Sequence, residues 1–125
     1  MNGHLTEELE PIVQLSLLSS DGDTVRIDAI VDTGFDGELT LQEKHLELLH
    51  ARWLCREEGE LADGSTIVFD VFIVNVSWNG DERQVEADLC AGPPLIGMSP
   101  MKGSELRMLG EPGGEVSIRG KTHHT

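Results

Sequence analysis

A chain of 125 residues with a formal net charge of −14 at pH 7 has room for one folded domain and is a poor partner for polyanions. Nine basic residues face twenty-three acidic ones without forming a basic patch, which argues against binding to nucleic acid or to an anionic membrane surface. The sequence shows neither a membrane-spanning apolar stretch nor a secretory signal, so we expect a reduced, cytoplasmic location with Cys55 and Cys90 as packed thiols.

Short alternating apolar runs separated by Gly-rich turns predict an all-β protein, built as a small closed β-barrel or sandwich with one short helix. We expect residues 1–10 to be a flexible N-terminal segment, residues 11–119 a single domain and residues 120–125 a disordered tail. The predicted strands lie near residues 11–17, 24–31, 38–41, 53–62, 66–78, 83–90, 105–109 and 115–120, and the helix at 42–51.

Turn chemistry joins several of these strands into hairpins. Asp-Gly occurs at 21–22 and 63–64 and Asn-Gly at 79–80, each between two apolar runs. These dipeptides supply the positive-φ corner that a tight hairpin needs. The sequence therefore predicts three hairpins.

The second predicted strand, TVRIDAIV, leads directly into Asp32-Thr33-Gly34 and then Phe35-Asp36-Gly37. A carboxylate at the end of a buried strand has to be paired or functional, because burying a lone charge is costly. The small residues that follow allow another backbone to approach closely. The competing interpretation is that Asp32 only caps its own turn.

This loop, the hairpin around Ala62-Asp63-Gly64-Ser65 and the later Leu95-Ile96-Gly97 resemble the retropepsin-like aspartic peptidases of clan AA. The loop is most similar to that of the small prokaryotic members, which often reads Asp-Thr-Gly-Phe-x-Gly. The resemblance covers about residues 12–110, with the motifs in the expected order.

The resemblance implies an aspartic endopeptidase that acts on an extended peptide and needs no metal or other cofactor, with Asp32 as the catalytic residue. This hydrolysis requires two adjacent carboxylates that share one proton, and the chain has one Asp-Thr-Gly, so a homodimer is implied. Thr33 would bond across the dimer axis, and the Gly34 N–H would approach the carboxylate.

The resemblance also implies roles for residues outside Asp32-Thr33-Gly34. Phe35 and Asp36 would bind substrate, as would a flap at the hairpin tip formed by Ala62, Asp63, Gly64 and Ser65. Leu95, Ile96 and Gly97 would form a structural motif that packs beside the catalytic loop. From the residues alone, an Asp in a Gly-flanked loop such as Asp36 more commonly caps its own backbone, and Asp63-Gly64 can be a plain hairpin turn.

Two other functions stay open. Met98 and Ser99 follow Gly97, where retroviral enzymes have an Arg that pairs with the residue at the Asp36 position, and both terminal segments are polar. A non-cleaving retropepsin-like module for peptide binding or assembly is therefore one alternative, and an unrelated small β-domain with a chance Asp-Thr-Gly is another. His45 and His50 lack the i, i+4 spacing of helical metal ligands, so no metal site is predicted.

Two subunits of this charge must repel each other, so we expect the homodimer to tighten at mildly acidic pH or in added salt. Analytical ultracentrifugation across pH and ionic strength measures this directly. A monomer that persists under every condition would contradict the dimeric scheme.

Overall fold

The computed structural model describes residues 1–120, which are dominated by β-strands as the sequence predicts. The strands are β1 (Asn2–Leu5), β2 (Pro11–Leu18), β3 (Thr24–Val31), β4 (Leu39–Leu41), β5 (Arg52–Glu60), β6 (Thr66–Trp78), β7 (Asp81–Leu89), β8 (Leu95–Ile96), β9 (Ser104–Met108) and β10 (Glu115–Gly120). Helix α1 spans Glu43–Leu49, and a 3₁₀ turn spans Ser99–Met101. The prediction of an all-β protein with one short helix is confirmed.

All ten strands belong to one sheet, in the order β5-β6-β7-β4-β8-β3-β2-β1-β10-β9. A further pairing, from Ser16↔Ser77 to Leu18↔Asn75, joins β2 to β6 and closes β2, β3, β8, β4, β7 and β6 into a ring. Alternate residues of these strands point inward, because side chains alternate between the two faces of a strand. The hydrophobic core includes Leu15, Ala29 and Trp78 of these strands and extends to buried residues of α1, β1 and β10.

The three predicted hairpins are present as β2–β3, β5–β6 and β6–β7. In the last of these, Asn79 and Gly80 connect the paired residues Trp78 and Asp81 with φ angles of 50° and 91°. Positive φ at both central residues is typical of a two-residue type I′ turn, for which Asn-Gly is the preferred sequence.

Helix α1 lies within the predicted range and buries Leu46 and Leu49, whereas Leu48 is exposed. His45 is also buried, and its Nδ1 accepts a hydrogen bond of 3.2 Å from the Gln42 backbone N–H at the start of the helix. Burial, followed by the nearby Lys44 charge, lowers the pKa of His45. This imidazole therefore has a structural role at the helix N-terminus.

The N-terminal segment differs from the prediction of a flexible stretch. Strand β1 pairs with both β2 and β10, and a Cβ at Gly3 would lie 1.7 Å from the Ile12 carbonyl oxygen. The sequence NGHL contains one apolar residue, Leu5, so it has no alternation of apolar and polar residues that would predict a strand. The strand is held on one side by the neighbouring β2 and on the other by β10, which lies at the far end of the chain.

The remaining expectations concern the C-terminus, the thiols and the membrane. Gly120 is the last residue of β10, and residues 121–125 of the predicted tail lie outside the described residues. Cys55 and Cys90 are both free thiols. No helix among residues 1–120 combines the length and the apolar composition required to cross a membrane.

Candidate active site

Asp32 is the first residue after β3, where the chain leaves the sheet. Strand β3 pairs in parallel with β8 through Ile30↔Leu95 and Val31↔Ile96, and the Asp32 N–H extends this ladder by donating to the Ile96 carbonyl at 2.9 Å. Because its own backbone belongs to a ladder of the closed ring, the position of Asp32 is set by the sheet and not by the loop alone.

Residues 32–38, which we call the Asp32 loop, are clamped along their length by residues 96–99. The Met98 N–H donates to the Phe35 carbonyl at 2.8 Å, and the Gly97 N–H donates to the Glu38 carbonyl at 3.0 Å. Gly97 is buried, and a Cβ placed there would lie 2.1 Å from the Gly37 carbonyl oxygen. A side chain at this position would displace the loop, so Gly97 allows the two backbones to pack directly against each other.

The Asp32 carboxylate is partly exposed, and its Oδ1 accepts a hydrogen bond of 2.9 Å from the Gly34 N–H. This contact has the capping geometry of the competing interpretation, yet it engages only Oδ1. Asp32 and the exposed Thr33 border an open concavity of about 510 Å³, which we call the Asp32 groove. Its other lining residues are mainly apolar and include Leu9, Pro11, Pro93, Leu95 and Met108.

The β5–β6 hairpin projects from the ring and ends in the predicted tip. Gly64 adopts a φ of 86°, and Asp63 Oδ1 accepts hydrogen bonds from the N–H and the hydroxyl of Ser65. The Ser65 hydroxyl and then its N–H lower the pKa of Asp63. Ala62, Asp63, Gly64 and Ser65 are all exposed, so the tip is an ordered turn that protrudes into solvent.

A larger concavity, of about 750 Å³, lies between the Asp32 loop and the arms of this hairpin; we call it the hairpin cleft. The structure brings Phe35 and Asp36 together there with Ile67 and Phe69 of β6. The four tip residues do not line the hairpin cleft, and Asp32 borders the adjacent Asp32 groove instead. The structure therefore brings Phe35 and Asp36 together with the hairpin arms and leaves Asp32 and the tip residues outside that cleft.

Asp36 is exposed at the edge of the hairpin cleft. Within residues 1–120, none of the ion pairs involves its carboxylate. This agrees with the sequence, in which Met98 and Ser99 stand where retroviral enzymes carry the pairing Arg.

Sequence reasoning missed several acidic residues that line the hairpin cleft, among them Glu57, Glu86 and Asp88. Asp88 is half-buried, and burial raises its pKa to about 6, with further contributions from the charges of Glu57, Glu86 and Glu38. The period-2 spacing of Glu86 and Asp88 indicates that they share a strand face. Which surface that face adjoins depends on the pairing of β7 with β4 and β6, and no local pattern encodes that pairing.

Comparison with known proteins bears on the fold. No family model matches the chain, and no curated protein matches its sequence. Among solved structures it is similar to a retropepsin-like aspartic protease from Rickettsia conorii, with a TM-score of 0.61 and 12% sequence identity. The match covers 98% of this chain and 92% of the other. The chain thus has a small retropepsin-like all-β fold, as the sequence predicts.

Gly97→Ala should destabilise the protein, because the new methyl group would collide with the Gly37 carbonyl oxygen. We expect a loss of about 1–3 kcal/mol, or a fall in Tm of roughly 5–15 °C, measured by differential scanning calorimetry. Gly110→Ala is the matched control, since a Cβ there meets no atom within 4 Å. Equal effects of the two substitutions would contradict the clamp.

Asp88→Asn should stabilise the protein at neutral pH and leave its stability unchanged in acid. The folded-state pKa of Asp88 lies above the ordinary carboxyl value, so the native state is favoured at low pH and loses stability as the pH rises through about 6. The melting temperatures of the variant and the native chain should therefore agree near pH 4, separate between about pH 4 and 6, and differ by a constant amount above about pH 6.

Asp28→Asn is the matched control for this measurement, because it removes the same charge from an exposed position in β3. A difference between Asp88→Asn and the native chain that does not depend on pH would show that Asp88 carries no such penalty.

Proposed function

We propose that this protein is an aspartic endopeptidase that works as a homodimer, with one Asp32 from each subunit forming the catalytic pair. The observation that carries the proposal is the setting of Asp32. Asp32 follows a buried strand, and its backbone N–H extends the ladder of that strand. Its side chain is partly exposed and borders an open groove, and hydrogen bonds from residues 96–99 hold the loop in place. The similarity of the fold to a retropepsin-like aspartic protease supports a catalytic role for a carboxylate in this position.

The reaction requires one carboxylate to be ionised and the other protonated. The ionised carboxylate takes a proton from a water molecule as the water oxygen attacks the peptide carbonyl carbon, and the protonated carboxyl gives its proton to the carbonyl oxygen. The tetrahedral intermediate then breaks its C–N bond, and the leaving amine takes up a proton. One water is consumed, and a carboxylic acid and an amine are formed.

The second carboxylate has to come from a second copy, because the chain contains one Asp-Thr-Gly. The Asp32 groove is a suitable interface, since its apolar residues include Leu9 and Met108, which are 51% and 46% exposed. Interleaved terminal strands are a poor alternative: β1 already pairs on both sides with β2 and β10, and β10 with β1 and β9.

The other predicted residues have supporting roles in this scheme. The exposed Thr33 would hydrogen-bond to the partner loop, and the Gly34 N–H holds Asp32 Oδ1 within its own loop. The hairpin tip at 62–65 would act as a flap that closes over the peptide and excludes water. An extended peptide beneath it would bind partly through main-chain hydrogen bonds, with Phe35 and Asp36 contacting its side chains.

Asp32→Asn should abolish peptide cleavage, with a rate loss of at least about 100-fold, because an amide can neither accept nor share the catalytic proton. The assay is mass-spectrometric mapping of cleavage sites in a diverse peptide mixture over roughly pH 3 to 8. Native activity should fall on both sides of an optimum. Asp28→Asn, four residues earlier on an exposed position of β3, is the charge-matched control and should retain activity.

Cleavage by the native chain and by Asp32→Asn alike would point to a contaminating peptidase and count against the proposal. A demonstrably dimeric native preparation that cleaves nothing would favour the non-cleaving binding or assembly module.

A further inference from the structure

The hairpin cleft has walls suited to the apolar part of a long side chain. Its volume of about 750 Å³ is within the range of specific binding sites. Phe35 closes one side, and residues of the hairpin and β7 form the others; they are Leu61, Ile67, Phe69 and Leu89. Leu61 and Ile67 are 47% and 44% exposed, so these walls have apolar surface available for contact.

The polar part of the lining is negatively charged, and no Lys, Arg or His contributes to it. Six carboxylates border the cleft: Asp36, Glu38, Glu57, Glu60, Glu86 and Asp88. The ion pairs within residues 1–120 are His50–Asp21, Arg56–Asp70 and Arg107–Glu105, and none of them includes a cleft carboxylate. The cleft therefore carries negative charge that the described part of the chain does not neutralise.

This charge converges on the half-buried Asp88. After burial itself, the charges of Glu57, Glu86 and Glu38, which come from three separate segments, raise the pKa of Asp88. Glu38 is fixed there, because its carboxylate accepts a hydrogen bond from the Glu86 N–H. A cation bound at this point would relieve the mutual repulsion.

The distribution of the carboxylates favours an extended cation over a compact one. Residues 1–120 contain no group of three or more metal-ligating side chains close enough to hold a metal ion. The charges are instead spread along a cleft with apolar walls. Lys and Arg side chains match this pattern, because an aliphatic stem carries their charged end.

We propose that the hairpin cleft binds a Lys or Arg side chain of the peptide and so selects cationic substrates, an inference that rests on the proposed endopeptidase function. The stem packs against Phe35 and the β6 side chains, and the charged end lies among the carboxylates around Asp88. Neutral and acidic side chains at the same peptide position lose this attraction or meet repulsion.

Binding to the Asp32→Asn variant tests the selection without cleavage. A series of labelled neutral peptides carries one Arg moved along the sequence, and each has a twin with citrulline, which keeps the shape and lacks the charge. In fluorescence anisotropy, one register should bind at least about threefold tighter with Arg than with citrulline. The preference should shrink at high ionic strength.

Two double variants in the Asp32→Asn background locate the effect. Glu57→Gln with Glu86→Gln removes two charges from the cleft, whereas Glu58→Gln with Glu82→Gln removes two exposed charges outside its lining. Glu57 and Glu58 are neighbours in β5 whose side chains point to opposite faces. Only the cleft pair should remove most of the Arg preference, so that the Arg and citrulline peptides bind with nearly equal affinity.

Equal affinity for Arg and citrulline peptides, or an equal loss in both double variants, would overturn the inference, as would the absence of binding to a folded protein. Cleavage of neutral peptides by the native chain would then leave the endopeptidase function standing. Selective Arg binding with no cleavage by the native dimer would support the cleft and contradict the endopeptidase function.

Discussion

The insertion of β8 between β3 and β4 is the contact on which the rest of the structure depends. This strand has only two residues, yet it pairs in parallel with β3 and antiparallel with β4. It thereby completes the ring around the core and brings Gly97 against Gly37. Without a side chain at position 97, the two backbones approach closely enough for 96–99 to bond along the Asp32 loop. The position of the candidate catalytic carboxylate therefore depends on a segment more than sixty residues away.

Negative charge opposes stability in the cleft that we propose to bind a cationic side chain. The chain carries twenty-three acidic residues, and the fold gathers six of them around one cleft. Asp88 shows the cost, because burial and its neighbours raise its pKa to about 6. A protein of this charge has ample exposed surface on which to disperse carboxylates. Their concentration beside the Asp32 loop is what a site for cationic ligands requires, and strained groups of this kind are common where function competes with stability.

The sequence predicted most strands because the signals were local. Apolar alternation in TVRIDAIV and TIVFDVFIVNVSW, and the Asn-Gly turn between β6 and β7, are expressed within a few residues. Two strands were not predicted, because their own residues carry no such local signal. β1 has one apolar residue, and β8 is too short to show a period. Both partners of β8 and one of the two partners of β1 are distant in the chain, and pairing across such distances leaves no periodic trace in the sequence.

The same distinction between local and long-range information applies to the candidate site. By itself, the sequence determined that Asp32 follows a buried strand in a small-residue loop, that Asp63-Gly64 is a hairpin turn, and that these 125 residues contain a single Asp-Thr-Gly. Only the tertiary structure decided that Asp32 borders one groove while Phe35 and Asp36 line another, and that Glu57, Glu86 and Asp88 face the second. The physical reason is that the residues of a strand determine by themselves which side chains share a face. The order of strands in the sheet determines which other residues that face contacts, and this order depends on contacts between distant segments.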